Sequence, residues 1–227
     1  MTSAVVTGGG RGIGRATALA LAARGYDVAL LARTTAEVEA VGREVATQGR
    51  RALTLTCDVS SVEDVARAGE EVLRALGAPR LVVNNAGNVL RTPVASMKEE
   101  EWDRVVDVNL KGSFLVTRAF LPAMLEMGHG RIVFVGSISS TLGTAQQSAY
   151  CAAKWGVLGF AKSLAEELRG TGLQSVVILP GSVDTHMLKG SRFAPAMSAE
   201  DVARAIVYAG VDAPDATNGG TIEMFGP

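Results

Sequence analysis

The stretch Ser3-Ala4-Val5-Val6-Thr7-Gly8-Gly9-Gly10-Arg11-Gly12-Ile13-Gly14 decides how the chain folds. Its first five residues are uncharged and small or β-branched, the composition of a buried strand. Gly8-x3-Gly12-x-Gly14 follows, and then an alanine-rich amphipathic stretch, Gly12–Arg24, that ends at Gly25. A strand that turns sharply into a helix around a nucleotide needs glycine for three reasons. The turn takes positive φ, the backbone must approach a pyrophosphate, and helix and strand must touch closely. The helix N-terminus then offers unpaired N–H groups and the positive end of its dipole to phosphate oxygens. The junction therefore predicts a dinucleotide-binding turn. Its spacing is not G-x-G-x-x-G: three residues separate the first two glycines, and position 13 is isoleucine.

Outward from the turn, short β-branched runs alternate with longer helical ones. Further strands are predicted at Asp27–Ala32, Ala52–Thr56, Arg80–Asn84, Arg131–Gly136, Leu173–Leu179 and near Thr221–Phe225. Helices are predicted at Thr34–Gln48, Ser61–Leu76, Ser148–Arg169 and Ser198 to about Ala209. Two more lie between Glu99 and Met127, separated near Gly112. Leu81-Val82-Val83 and Ile132-Val133-Phe134-Val135 are continuously apolar, which marks parallel strands covered on both faces. The expected fold is α/β: a single-domain Rossmann-type doubly wound sheet of about seven parallel strands with helices on both faces. No internal repeat or low-complexity linker interrupts residues 1–227, so one dinucleotide-binding and catalytic domain is expected.

Composition removes several function classes. The chain has 227 residues, 48% of them hydrophobic, and a net charge of −1 without a block of like charges. Electrostatics therefore gives no reason to expect nucleic acid or an anionic membrane as a partner. The longest apolar stretch, around Ala16–Ala23, is far short of the ~18 residues of a spanning helix, and no basic n-region or cleavage motif opens the sequence. A cytoplasmic location is expected. Cys57 and Cys151 are far apart and belong to no CxxC motif, and His129 and His186 are the only histidines. That is too little for a metal site or a Ser/His/Asp triad.

The end of the second strand bears on the cofactor. An NAD site places Asp or Glu there to hold the ribose 2′-hydroxyl. This chain has Ala32 followed by Arg33, while Arg11 projects from the glycine turn. Two guanidiniums and no carboxylate would attract a 2′-phosphate, so NADP(H) is expected.

Tyr150 and Lys154 open the long helix after the fifth strand, one turn apart, so both side chains can face one cleft. A nearby ammonium would lower the tyrosine pKa from ~10 toward neutrality, where a phenol can both give and take a proton. Ser137 lies thirteen residues upstream at a strand end, with a hydroxyl that can bind a substrate carbonyl. Asn84-Asn85-Ala86-Gly87 ends another strand with small residues, and Asn109 followed by Gly112 predicts a local kink that frees a helical carbonyl.

Taken in order, these motifs resemble those of the short-chain dehydrogenase/reductase family, of the single-domain type marked by Thr-Gly-x3-Gly-x-Gly. The resemblance runs from Thr7–Gly14 through Asp58, Asn84–Gly87, Asn109, Ser137, Tyr150 and Lys154 to Pro180-Gly181-x-Val183-x-Thr185. It implies that Tyr150 is the general acid/base and that Lys154 binds the nicotinamide ribose and lowers the tyrosine pKa. Ser137 would polarise the carbonyl, and Asn109 would hold a water in a proton relay. Gly8, Gly10, Arg11, Gly12, Ile13, Gly14 and Arg33 would surround the phosphates. Asp58 would hydrogen-bond the adenine amino group, Asn85, Ala86 and Gly87 would line the cofactor, Thr185 would hold the carboxamide, and Val59, Pro180, Gly181 and Val183 would also touch the cofactor. Substrate would touch Ser137, Tyr150, Ser139 and Met187. No metal is expected.

The implied activity is carbonyl–alcohol interconversion by hydride transfer, run as a reductase on a small or carrier-bound ketone, aldehyde or 3-oxoacyl compound. An NAD-dependent alcohol or sugar dehydrogenase and a catalytically idle NADP(H)-binding regulator are the alternatives. The resemblance also implies a homodimer or homotetramer, built through helices near Ser113–Met127 and Ser148–Arg169. Two departures stand out. The substrate-side segment, around 186–198, is short and predicts an open cleft, and the ending Thr221–Pro227 lacks an Asp-Gly-Gly tail. Arg131 and Arg169 are candidates for contact with an acidic carrier, or are solvated charges.

Overall fold

The computed structural model describes residues 2–226. Its strands are β1 (Ser3–Thr7), β2 (Asp27–Ala32), β3 (Ala52–Thr56), β4 (Leu81–Asn84), β5 (Gly130–Val135), β6 (Leu173–Pro180) and β7 (Thr221–Met224). They form one seven-stranded sheet in the order β3-β2-β1-β4-β5-β6-β7, and every neighbouring pair is parallel. The chain leaves the β3 edge and re-enters the sheet beside β1. This reversal puts the ends of β1 and β4 next to each other, where doubly wound sheets bind ligands.

The helices are α1 (Gly12–Ala23), α2 (Thr35–Thr47), α3 (Val62–Leu76), α4 (Glu99–Val106), α5 (Gly112–Met127), α6 (Ser148–Glu167) and α7 (Ala199–Val207). Side chains alternate across each strand, so the sheet feeds two cores. Ala4, Val6, Leu81 and Val83 pack with α1, α2 and α7 on one face. Val5, Val82, Ile132 and Phe134 pack with α3, α5 and α6 on the other. A fully buried Val, Leu or Phe contributes about 1.5–3 kcal/mol, against roughly 0–1 for an exposed ion pair. The two cores, not surface pairs such as Arg169–Glu166, therefore hold the strand ends that carry the site.

Three expectations change here. The two helical stretches after Glu99 are not separated: α4 runs into a π turn, Asp107–Lys111, and then directly into α5. Gly112 permits this, since a Cβ there would stand 2.8 Å from a Val59 methyl. Arg131 is not a solvated charge. It is 8% exposed at the foot of β5, the end of the sheet opposite the glycine turn. Its guanidinium donates to Gln174 Oε1 (2.9 Å), to the carbonyl of Ala209 (2.8 Å) and to that of Ala213. It therefore pins the turn after α7 to the sheet. Arg169, just past the end of α6, is spent on an exposed pair with Glu166, three residues back.

Candidate active site

The glycine turn is shaped by contacts that only hydrogen allows. Gly8 has φ +63°, and a Cβ on Gly14 would lie 2.1 Å from the Gly8 carbonyl oxygen. That leaves the amide edge of the turn bare at the start of α1, the cradle a pyrophosphate requires. Thr7 and Asn85 fix the turn to β4. The Thr7 hydroxyl accepts from the amides of Asn85 (2.9 Å) and Ala86 (3.0 Å) and donates to the Val83 carbonyl (3.3 Å). The Asn85 side chain donates to the carbonyls of Thr7 (2.8 Å) and Gly8 (3.4 Å), so it braces the turn rather than projecting outward. Thr185, after β6, stands opposite: a Cβ on Gly12 would meet its methyl at 3.3 Å.

At the other end of the turn one expectation fails. A carboxylate is present after all. Glu37, in the first turn of α2, packs on Gly10 and pairs with Arg11 at 3.3 Å. It follows β2 by five residues instead of ending it, which is why reading position 32 alone misses it. Arg33 is exposed and, among the described residues, has no ion-pair partner. Burial pushes the Asp58 carboxyl up, but the Ser60 hydroxyl and amide and the charge of Arg33 carry it below its ordinary value. Arg33 and Asp58 therefore share one side of the sheet edge.

The ends of β4, β5 and α6 converge on Tyr150. Ser137 caps a 3-10 turn, Ile138–Ser140, and its oxygen accepts from the amide of Ser139 at 3.1 Å. Ser137 also favours the ionised form of the Tyr150 phenol. Lys154 is 5% exposed; its ammonium donates to the Val135 carbonyl at 2.8 Å and stands 5.7 Å from the Tyr150 ring centre. Asn109 sits inside the π turn, fully buried. Its amide donates to the carbonyls of Asn88 (2.9 Å) and Val105 (2.9 Å) and to Asn88 Oδ1 (2.8 Å). Its Oδ1 has no partner. A Cβ on Gly87 would lie 2.7 Å from that oxygen and 3.7 Å from Lys154 Nζ, so both polar groups border one small space. The kink was legible, but the carbonyl it offers is shared: Asn109 O accepts from the Ser113 hydroxyl at 2.8 Å.

The electrostatics also differ from expectation. The Tyr150 phenol is raised, not lowered, relative to free tyrosine. Burial is the dominant cause, in a small cluster with Val105 and Ala149 that Val89, Leu90 and Met97 pack against; Ser137 and the charge of Arg91 oppose it without winning. Lys154 is itself desolvated, which brings its pKa down to about 8. Nor is the cleft open. Arg91, in the loop after β4, reaches across it and donates to the carbonyls of Met187 (3.0 Å) and Lys189 (3.4 Å). Sequence reasoning missed Arg91. The available signal was a lone charge in the otherwise uncharged run 85–97.

Ser139 is buried beside Ser137, its amide already used on it. Met187 is exposed in the 3-10 turn His186–Leu188, after Pro180, Gly181 and Val183 have carried β6 past the site. Among the described residues no cluster of three or more His, Cys, Asp or Glu could hold a metal ion. None of the helices is long and apolar enough to cross a membrane.

Comparison with known proteins agrees with this arrangement. The family model described as short chain dehydrogenase matches residues 2–195. The chain is 37% identical over 186 residues to the 3-oxoacyl-[acyl-carrier-protein] reductase FabG of Escherichia coli, covering 82% of this chain and 75% of that protein. It is also 37% identical over 202 residues to the 3-oxoacyl-[acyl-carrier-protein] reductase of Synechocystis, covering 88% and 82%. Among solved structures, a short-chain type dehydrogenase/reductase from Mycobacterium marinum superposes with a TM-score of 0.92 at 28% identity, covering 99% of this chain and 94% of that one.

Proposed function

The chain belongs to the short-chain dehydrogenase family, and on that premise we propose that it is an NADP(H)-dependent oxidoreductase interconverting a carbonyl and an alcohol, running as a reductase in the cell. The observation that carries this reading is the buried meeting of Ser137, Tyr150 and Lys154 at the ends of β5 and α6, with the Lys154 ammonium 5.7 Å from the Tyr150 ring centre.

The residues present fit a nicotinamide dinucleotide. The Gly8–Gly14 cradle has room that any side chain would fill, and Thr185 faces it from β6. Gly8, Gly10, Gly12, Ile13 and Gly14 would hold the pyrophosphate, Arg11 and Arg33 a 2′-phosphate, and Asp58 with Val59 the adenine. Asn85–Gly87, Lys154 and Pro180–Thr185 would hold the other half. When bound, the nicotinamide supplies the hydride. Tyr150 gives its phenolic proton to the substrate oxygen. The Ser137 hydroxyl, which accepts from the Ser139 amide, donates its hydrogen to the same oxygen and orients it. Lys154, fixed on Val135, and the unpartnered Asn109 Oδ1 hold a water between them, through which the tyrosine is reprotonated.

The same reading treats residues 1–227 as one catalytic unit in the cytoplasm, a homodimer or homotetramer. Its substrate is a small or carrier-bound carbonyl compound, and the likeness to 3-oxoacyl-[acyl-carrier-protein] reductases brings 3-oxoacyl thioesters into range. A second reading, an NAD-dependent dehydrogenase, has Glu37 in its favour, since a carboxylate beside the turn suits a ribose hydroxyl. Turnover of NADPH and NADH against ketones, aldehydes and β-ketoacyl thioesters decides between them. Tyr150→Phe is expected to lower kcat by about 10³-fold or more while NADPH binding persists. Wild-type kcat in that variant would overturn the mechanism.

A further inference from the structure

Three segments wall the cleft above Tyr150: 85–97 after β4, 136–149 after β5 and 181–198 after β6. They are tied together over the tyrosine. The Thr92 amide donates to the Gln146 carbonyl at 2.8 Å, and Arg91 spans to Met187 and Lys189. Their charges are lopsided. Arg91, Lys189 and Arg192 face a single carboxylate, Asp184, whereas the whole chain has 22 basic and 23 acidic residues.

Arg91 is the cation that matters. Its two bonds to carbonyl oxygens hold the guanidinium in place without neutralising it, and among the described residues no carboxylate pairs with it. A guanidinium has five N–H donors, and carbonyls take two of them. Its Nε is buried with no acceptor. A desolvated donor left unmade is costly, so a fixed guanidinium with surplus donors is arranged for a ligand oxygen that arrives later. The two residues before Arg91, Val89 and Leu90, pack against the cluster of Val105, Ala149 and Tyr150, which brings this segment to the tyrosine.

We propose that Arg91 anchors the substrate, and that the carbonyl compound handled at Tyr150 carries a carboxylate or phosphate that this guanidinium binds. The inference rests on the oxidoreductase reading and narrows it to anionic carbonyl compounds. Arg91 acts on selection and placement, not on the proton.

The full chain with NADPH is assayed on matched pairs: acetoacetate against methyl acetoacetate, and dihydroxyacetone phosphate against dihydroxyacetone. The wild type is expected to favour at least one anion over its neutral partner by about 10-fold or more in kcat/KM, the size of one charge-assisted hydrogen bond. Which pair shows it distinguishes carboxylate from phosphate. Arg91→Gln is expected to collapse that ratio whatever happens to absolute rates, and Arg91→Lys, which keeps the charge but not the fork, to restore part of it. Calorimetric titration of the NADP⁺ complex with malonate and with inorganic phosphate reads the anchor without turnover. Arg91-dependent anion binding with no turnover of any pair would leave the anchor standing and sink the reductase reading. Turnover without anion preference in the wild type, an unchanged ratio in Arg91→Gln, or no Arg91-dependent binding of either anion would each overturn the anchor.

Discussion

Lys154 donates to the carbonyl of Val135 at 2.8 Å, so the lysine one helical turn from Tyr150 is fastened to strand β5 rather than to the phenol. Fastening there keeps the ammonium nine-tenths out of water, and burial lowers its pKa to about 8.

That burial has a pH signature. Below about pH 8 both the folded and the unfolded chain hold the proton, so the desolvation cost is fully present. Between there and the ordinary lysine value of 10.5, the unfolded chain binds more protons, so this site's contribution to stability rises with pH. The whole effect is on the order of 3 kcal/mol. Lys154→Met is expected to melt above the wild type near pH 7, with the gap shrinking by pH 9.5. A gap that stays constant with pH would contradict the assignment.

On the proposed reading, cofactor choice turns on a contest around Arg11. Glu37 occupies it with an exposed pair worth about 0–1 kcal/mol, weak enough for a 2′-phosphate to displace. Glu37→Gln should raise the NADPH-to-NADH ratio of kcat/KM several-fold, and Arg33→Ala should lower it by about 10-fold. If Glu37→Gln instead abolished a preference for NADH, the dehydrogenase reading would gain.

Arg131→Met removes a guanidinium that satisfies Gln174, Ala209 and Ala213 inside the fold. Stranding those acceptors should cost about 3 kcal/mol or more in chemical denaturation. KM for a 3-oxoacyl-carrier substrate should not move, because the residue lies at the foot of the sheet. A carrier-specific rise in KM would restore the docking role.

Trp102, Phe114, Leu125 and Trp155 are each at least 40% exposed on α4, α5 and α6. Large apolar side chains gathered on neighbouring helices mark a protein interface. Light scattering should find a dimer or tetramer, and Trp155→Glu should shift it toward monomer. A monomeric wild type at micromolar concentration would remove the interface.

The strands and the glycine turn were readable because local pattern determines them. Ser3–Thr7 is a run of strand residues, and Gly8, Gly12 and Gly14 have a spacing few other structures need. The π turn left a trace too, in an asparagine poor for a helix three residues before a glycine. What stayed hidden depends on partners far away in sequence. Arg131 reads as a surface charge until the carbonyls at 209 and 213 close on it. Glu37 reads as a solvated first-turn acid until α2 folds back onto Gly10. The raised pKa of Tyr150 follows from its burial among residues that no motif connects to it.

The placement of β1 beside β4 divides the molecule's inheritance. The positions assigned to phosphates, ribose and adenine fall within residues 8–59, ahead of the crossover, and those assigned to nicotinamide and carbonyl fall within 85–187. Each set lies on its own contiguous half of the gene. The loop around Gly77, between α3 and β4, is thus a natural recombination point. Exchange there would swap the nucleotide preference of one enzyme onto the chemistry of another, provided Thr7 and Asn85 still find each other across the join.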